Sequence, residues 1–184
     1  MIFTSFLPIE YAGHPTADIF HNFKMYVDQA SKDLILRDYM IEGSDRPELV
    51  SWKLYNDSQY YWVLLMLNAI YDPYHGWIKS QEAVHQSSEY RYKETGGVYH
   101  TAYHINDRGK RYYNLYEDDR FPGHWYDKSD HAKEFLQYKG TLVPVSIIED
   151  ELNKNEQKRI IKIIAPGDIN SFISSLRRII GSIK

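Results

Sequence analysis

The sequence predicts an α+β protein, on three observations. Segments with apolar residues at helical spacing alternate with short runs that read as strands. A stretch past the middle carries the turn chemistry of a β-hairpin. The last part reads as a helix, a strand and a second helix in succession.

Residues 18–29 place Ile19, Phe20, Phe23 and Val27 on one helical face. Phe3, Phe6 and Leu7 precede them as an apolar arm. Such an arm either lies on another surface or adds a strand to its own domain. Residues 1–38 are therefore grouped as an N-terminal arm and helix. Tyr39, Met40 and Ile41 read as a short strand that Gly43 ends. Ser44 and Asp45 are N-cap residue types, and Pro47 belongs in a first helical turn, where a missing N–H costs nothing. Val50, Ser51, Leu54 and Tyr55 then give a helix one buried face. Asn56, Asp57 and Ser58 are turn and cap residues. Residues 60–67 are eight apolar or aromatic residues in a row. A helix over 58–67 is apolar nearly all round and has to be buried on most sides. Asn68 ends it, and Tyr71-Asp72-Pro73-Tyr74-His75-Gly76-Trp77 follows as a turn-rich aromatic loop. Residues 39–80 form the second group.

Residues 80–93 are mostly polar and predict an exposed helix begun by Ser80 and stopped by Gly96-Gly97. The hairpin runs over 98–115, turning at Asn106-Asp107-Arg108-Gly109, with Asn at the start and Gly where a positive φ is needed. Residues 116–140 read as a long loop with Pro122-Gly123 and Gly140, of the kind that function or a partner orders. Residues 81–140 form the third group. In the fourth, 141–184, residues 146–158 read as a charged helix and 159–164 as a strand. Pro166-Gly167 breaks the chain, and Asp168 is placed to cap a last helix. That helix carries Ile169, Phe172, Ile173, Leu176, Ile179 and Ile180 on one stripe, which needs an apolar cover.

Composition narrows the function classes. Net charge is −3 over 184 residues, without the basic face of a general nucleic-acid binder. From Leu152 onward there are seven Lys/Arg and two Asp/Glu, a net of +5, leaving −8 on the rest. An acidic body with a basic tail can dock copies or partners through complementary fields, or the tail can be a solvated helix face. With 17 Tyr, 4 Trp and 7 Phe, aromatic residues make up 15% of the chain. They fit contact surfaces or small cores under polar tips. The absence of Cys excludes disulfides and thiolate chemistry. The opening residues lack the basic and apolar regions of a secretory signal, and no window approaches the ~20 apolar residues of a membrane span.

No catalytic constellation is evident. His100 and His104 sit in a strand-like segment, where four residues span about 13 Å, so they do not converge on a metal. His75 reads as a surface or packing residue. Glu117, Asp118 and Asp119 are adjacent acids in a loop and read as a solvated turn. Asp72 reads as a turn cap before Pro73. GxGxxG, GxxxxGK[ST] and GxSxG are absent. No cofactor and no metal are expected, and binding is favoured over chemistry.

The stretch GSDRPELVSWKLYNDSQYYWVLLMLN (43–68) resembles a LysM-like module, in which a strand, two short helices and a second strand follow one another. With YDPYHGWIKSQEA after it, this variant resembles the baseplate wedge proteins of T-even-type contractile-tailed phages, the gene product fifty-three family. IFTSFLPIEYA, VYHTAYHINDRGKRYYNL, WYDKSDHAKEFLQYKG and IKIIAPGDINSFI extend the resemblance in order along nearly the whole chain. It implies a LysM-like module with an added hairpin and a C-terminal helix-strand-helix segment. It also implies a non-enzymatic structural subunit of the virion, made in the host cytoplasm, which joins neighbouring wedge and hub-proximal tail proteins around the central hub. Neither nucleic acid nor membrane is an expected partner. Glycan-binding LysM modules close with a Gly-x-x-Leu-x-Ile-Pro-like strand, whereas this chain reads YDPYHGWIKSQ there. Peptidoglycan binding is thus the alternative reading, and the fold alone does not carry it. Partner contacts are expected at three faces: the arm around Phe3 and Phe6, the aromatic loop with Tyr71, Tyr74 and Trp77, and the last helix with Ile169, Phe172, Ile173, Leu176 and Ile180.

Overall fold

The computed structural model describes residues 8–17 and 23–182. In chain order the elements are β1 (Pro8–Tyr11), β2 (His14–Ala17), α1 (Lys24–Ser31), β3 (Leu36–Met40), α2 (Pro47–Tyr55), α3 (Tyr61–Leu67), α4 (Pro73–Gly76), α5 (Gln81–Tyr92), β4 (Thr101–Ile105), β5 (Arg111–Tyr112), β6 (Leu115–Glu117), β7 (His124–Asp127), β8 (Leu136–Lys139), β9 (Val143–Ser146), α6 (Ile147–Glu156), β10 (Ile160–Ile164) and α7 (Ile169–Gly181). Helices and small antiparallel sheets make the fold α+β. No described helix is long and apolar enough to cross a membrane. The chain divides into two compact units, one from Met1–Ile78 with Gln157–Lys184, the other from Lys79–Glu156.

In the first unit, β3 and β10 pair antiparallel, from Ile160 opposite Met40 to Ile164 opposite Leu36. Between these strands in sequence lie α2, α3 and the whole second unit. The arrangement is strand-helix-helix-strand, but the strand that closes it comes from 160–164 and not from 71–81. Residues 73–76 of that segment are a helical turn. The sequence alone could not choose between the two, because strand pairing is fixed by the partner and not by local pattern.

Two apolar clusters hold this unit, and α3 serves both. Trp62, Val63 and Leu67 pack with Phe23, Val27 and Ala30 of the α1 region and with Ile164, Ile169, Phe172, Ile173, Leu176 and Ile180. Leu64 and Leu65 pack with Ile41, Val50, Trp77, Ile78, Ile161 and Ile163. This double duty is why the α3 sequence is apolar on almost every side. Asp57 caps the 3-10 turn leading into it by accepting from the Gln59 N–H at 2.8 Å. Asn68 ends it and ties it to the sheet. Its Nδ2 donates to the carbonyls of Leu64 and Lys162, both at 2.8 Å, and its Oδ1 accepts the Lys162 N–H at 2.7 Å. Tyr55 donates its hydroxyl proton to the Ile164 carbonyl at 3.1 Å, and burial pushes the phenol up to about 12.

Two predicted caps differ from the observed ones. The residue before α2 is Arg46, with no side-chain cap, because the Asp45 carboxylate takes Lys53 at 2.7 Å instead. Asp168 precedes α7 without a side-chain capping bond, since a 3-10 turn over Pro166–Asp168 already leads the chain into the helix. The charge asymmetry also closes within this unit. Residues 1–78 hold five Lys/Arg and ten Asp/Glu, a net of −5, and residues 157–184 hold six and one, a net of +5. Lys162 on β10 pairs with Asp38 on β3 at 2.6 Å across this divide.

In the second unit, Ser80 caps α5 by accepting from the Ala83 N–H at 3.2 Å. Asn155 of α6 is buried and clamps Lys79, accepting its N–H at 2.9 Å and donating to its carbonyl at 2.8 Å. The predicted hairpin forms as β4 and β5, and Asn106 Oδ1 accepts from the N–H groups of Arg108 and Lys110. Gly109 sits at φ 73, as the turn requires. β4 also pairs with β9 on its other side. The stretch 116–140 is not the expected loop. It supplies most of a three-stranded sheet, β6-β7-β8, over a small core of Leu115, Trp125 and Leu142. Its strands are short and polar on one side, so only pairing reveals them. Asp118, read as part of a solvated turn, is buried instead. It accepts from Lys133 at 2.5 Å and from the Arg120 N–H at 3.2 Å, and the Lys133 bond holds its carboxyl below the usual carboxylate range.

Candidate partner interface

Asp72 and Pro73 set the local geometry of the aromatic segment 71–77. Pro73 opens α4, and the Asp72 carboxylate accepts from the N–H of Tyr74 at 2.9 Å and of His75 at 3.3 Å. The same carboxylate meets His75 Nδ1 at 2.6 Å, and this bond is the first cause of its lowered pKa. Gly76 is required by close approach, since a Cβ there would lie 2.7 Å from Ile70 Cγ2. Lys158 donates to the His75 carbonyl at 2.5 Å, which fixes the turn against the start of β10. This frame sends the three predicted aromatic residues in opposite directions. Tyr71 and Tyr74 stand 74% and 69% exposed. Trp77 points inward at 4% exposure, and its indole N–H donates to the Asp45 carbonyl at 2.7 Å. Trp77 is therefore a core residue, unavailable for stacking on a sugar or a partner.

The last helix follows the same logic. Ile169, Phe172, Ile173, Leu176 and Ile180 are all buried, Phe172 fully. The apolar cover this stripe needs is supplied by α1, α3 and Ile164 of the same chain. Amphipathic pattern shows that a face is covered, not what covers it. Phe3 and Phe6 lie outside the described residues. Immediately after them, β1 and β2 form a hairpin whose turn places Ala12 at φ 50 and Gly13 at φ 78. All of β1 is exposed, with Ile9 and Tyr11 among the large side chains in solvent. A two-stranded hairpin without a packed face is marginal on its own in water.

Sequence reading missed other exposed apolar residues. Ile35, Leu36, Met40 and Ile160 gather on and beside the β3–β10 sheet. In the second unit, Tyr90 and Tyr99 flank a cleft of about 480 Å³ beside α5. Tyr90 is 88% exposed on the mostly polar helix α5. Among the described residues, no three His, Cys, Asp or Glu gather where they could hold a metal. His100 and His104 are not brought together as ligands. His104 packs 4.7 Å from the Trp125 ring, and burial lowers its pKa.

These features define a small α+β protein that presents aromatic and apolar side chains at its surface. A family model described as base plate wedge protein 53 matches residues 1–179, and the chain belongs to that family. It is 47% identical, over 188 residues, to the baseplate wedge protein gp53 of Enterobacteria phage T4, covering 97% of this chain and 95% of the phage protein.

Proposed function

We propose that this chain is a structural subunit of a phage tail baseplate wedge, joining neighbouring wedge and hub-proximal proteins around the central hub, without catalysis. Membership of the wedge family along nearly its whole length carries this reading. The surface supports it. Tyr71 and Tyr74 stand outward on a turn that Asp72 caps and Pro73 opens, with Gly76 leaving room for Ile70. Stiff aromatic side chains lose little entropy on contact and are enriched at the centres of interfaces. The β1–β2 hairpin is the second proposed contact, because a neighbouring protein gives the exposed side chains of β1 a face to pack on.

The test replaces both Tyr71 and Tyr74 with Ala in the full-length chain, which supplies the subunit to assembling phage. Both side chains are more than two thirds exposed and belong to neither apolar cluster of the unit, so the isolated variant stays folded. Its incorporation into particles, measured by mass spectrometry, falls roughly tenfold. Incorporation at the wild-type level removes the 71–74 turn from the interface. Binding of the wild-type chain, abolished in the double variant, to purified peptidoglycan would favour the glycan-binding alternative.

A further inference from the structure

The two edges of the β3–β10 sheet are unequal. The Ile41 N–H donates to the Arg159 carbonyl at 2.9 Å, and the register sets Tyr39 opposite Ile161 and Arg37 opposite Ile163. The backbone groups of Arg37, Tyr39 and Ile41 therefore face β10, and those of Leu36, Asp38 and Met40 turn outward. On β10 the outward groups of Lys162 are both taken by the Asn68 side chain. On β3 no group among the described residues meets the outward N–H and C=O of Leu36, Asp38 and Met40. One edge is closed by a side chain that mimics a strand, and among the described residues the other is open.

The side chains beside the open edge match it. Leu36, Asp38 and Met40 share one sheet face with Ile164, Lys162 and Ile160 across from them; that face is buried at Ile164 and opens to solvent toward Asp38 and Met40. Met40 is 64% exposed and Ile160 59%. Lys162 holds Oδ1 of Asp38 and leaves Oδ2 without a partner among the described residues. An open, partly apolar strand edge is a template for another strand, and natural proteins usually blunt it.

We propose that β3 accepts an added strand from another protein of the baseplate, an inference that rests on the wedge reading above. The added segment is extended. It carries a Lys or Arg opposite Asp38, flanked at alternate positions by apolar residues that meet Leu36 and Met40. A second copy of this chain does not fit the full edge. Pairing β3 with itself about its centre sets Asp38 directly opposite Asp38, and like charges in that position destabilise a sheet. The outcome is a three-stranded sheet whose recognition is set by main-chain bonds and one cation.

Proline at position 38 provides the test, because the N–H it removes faces outward. Asp38→Pro is compatible with an edge strand and leaves the β10 pairing in place, whereas Asp38→Ala keeps the N–H and loses only the charge. Full-length variants are supplied to assembling phage, and their incorporation is quantified by mass spectrometry of purified particles. Asp38→Pro is expected to fall roughly tenfold and Asp38→Ala to stay within about threefold of wild type. Incorporation of Asp38→Pro at the wild-type level overturns strand addition. Absence of the wild-type chain from particles overturns instead the wedge reading on which it rests. Should Asp38→Pro fail to fold alone, hydrogen exchange on the wild-type chain decides. The amides of Leu36, Asp38 and Met40 exchange freely in the isolated protein and are protected in particles if a strand is added; equal exchange in both states refutes it.

Discussion

The Asn68 side chain joins the end of α3 to β10 across 94 residues of sequence. Replacing it with Ala removes three hydrogen bonds. The Leu64 carbonyl keeps a second donor, the Asn68 backbone N–H at 3.3 Å, so losing the side-chain bond there costs little. The two bonds to Lys162 have no such second protein partner among the described residues. At about 0.5–1.5 kcal/mol net for each bond, their loss destabilises the first unit by about 2 kcal/mol. Three of the four Trp residues, at 52, 62 and 77, lie in that unit, so tryptophan fluorescence in a urea titration reports mainly on its unfolding. The comparison is Lys162→Ala, which keeps the backbone groups and loses only the exposed pair with Asp38, worth about 0.5 kcal/mol or less. The unfolding midpoint of Asn68→Ala should fall well below that of Lys162→Ala at unchanged slope. If the two variants match, or if Asn68→Ala costs less than about 0.5 kcal/mol, the side chain does not close the sheet edge and the argument fails.

Two other outcomes follow from the cores. Leu176→Asp places a carboxylate in a site 2% exposed; truncation there alone costs about 2–5 kcal/mol, and the buried charge adds to that, so the first unit of the isolated chain unfolds, as circular dichroism would register. A stable, soluble Leu176→Asp monomer would mean that the stripe faces a partner after all. In the second unit, His104 has a buried Nδ1 with no hydrogen-bond partner among the described residues, and burial holds its pKa below the usual 6.5. A lowered folded pKa means that the unfolded chain takes up the proton first, so stability is full above pH 6.5 and declines as pH falls toward the folded value. This comes before Asp118, Asp127 and Asp150 matter, because their folded pKa values are lowered from 3.8 and their contribution is lost below that pH. Melting curves between pH 7.5 and 5 should show the decline in wild type and a flatter profile in His104→Phe, and identical profiles would refute it.

The sequence by itself determined what depends on near neighbours. Asp57, Asp72 and Ser80 cap the turns and helices they precede, Asn106 and Gly109 make the hairpin turn, and Asn68 ends the apolar run. Each signal acts within four residues, so one local window contains both the cause and the effect. The periodic stripe of α7 was legible for the same reason. Only tertiary structure decided what covers that stripe, because an apolar face is satisfied equally by its own chain or by another. It also turned Trp77 inward and Tyr74 outward, three residues apart on one turn. The same holds for β10, which reaches β3 from the far end of the chain, and for the β6-β7-β8 sheet in a stretch that reads as loop. Strand pairing takes its free energy from a distant partner, and the residues of one strand do not name the strand they will meet.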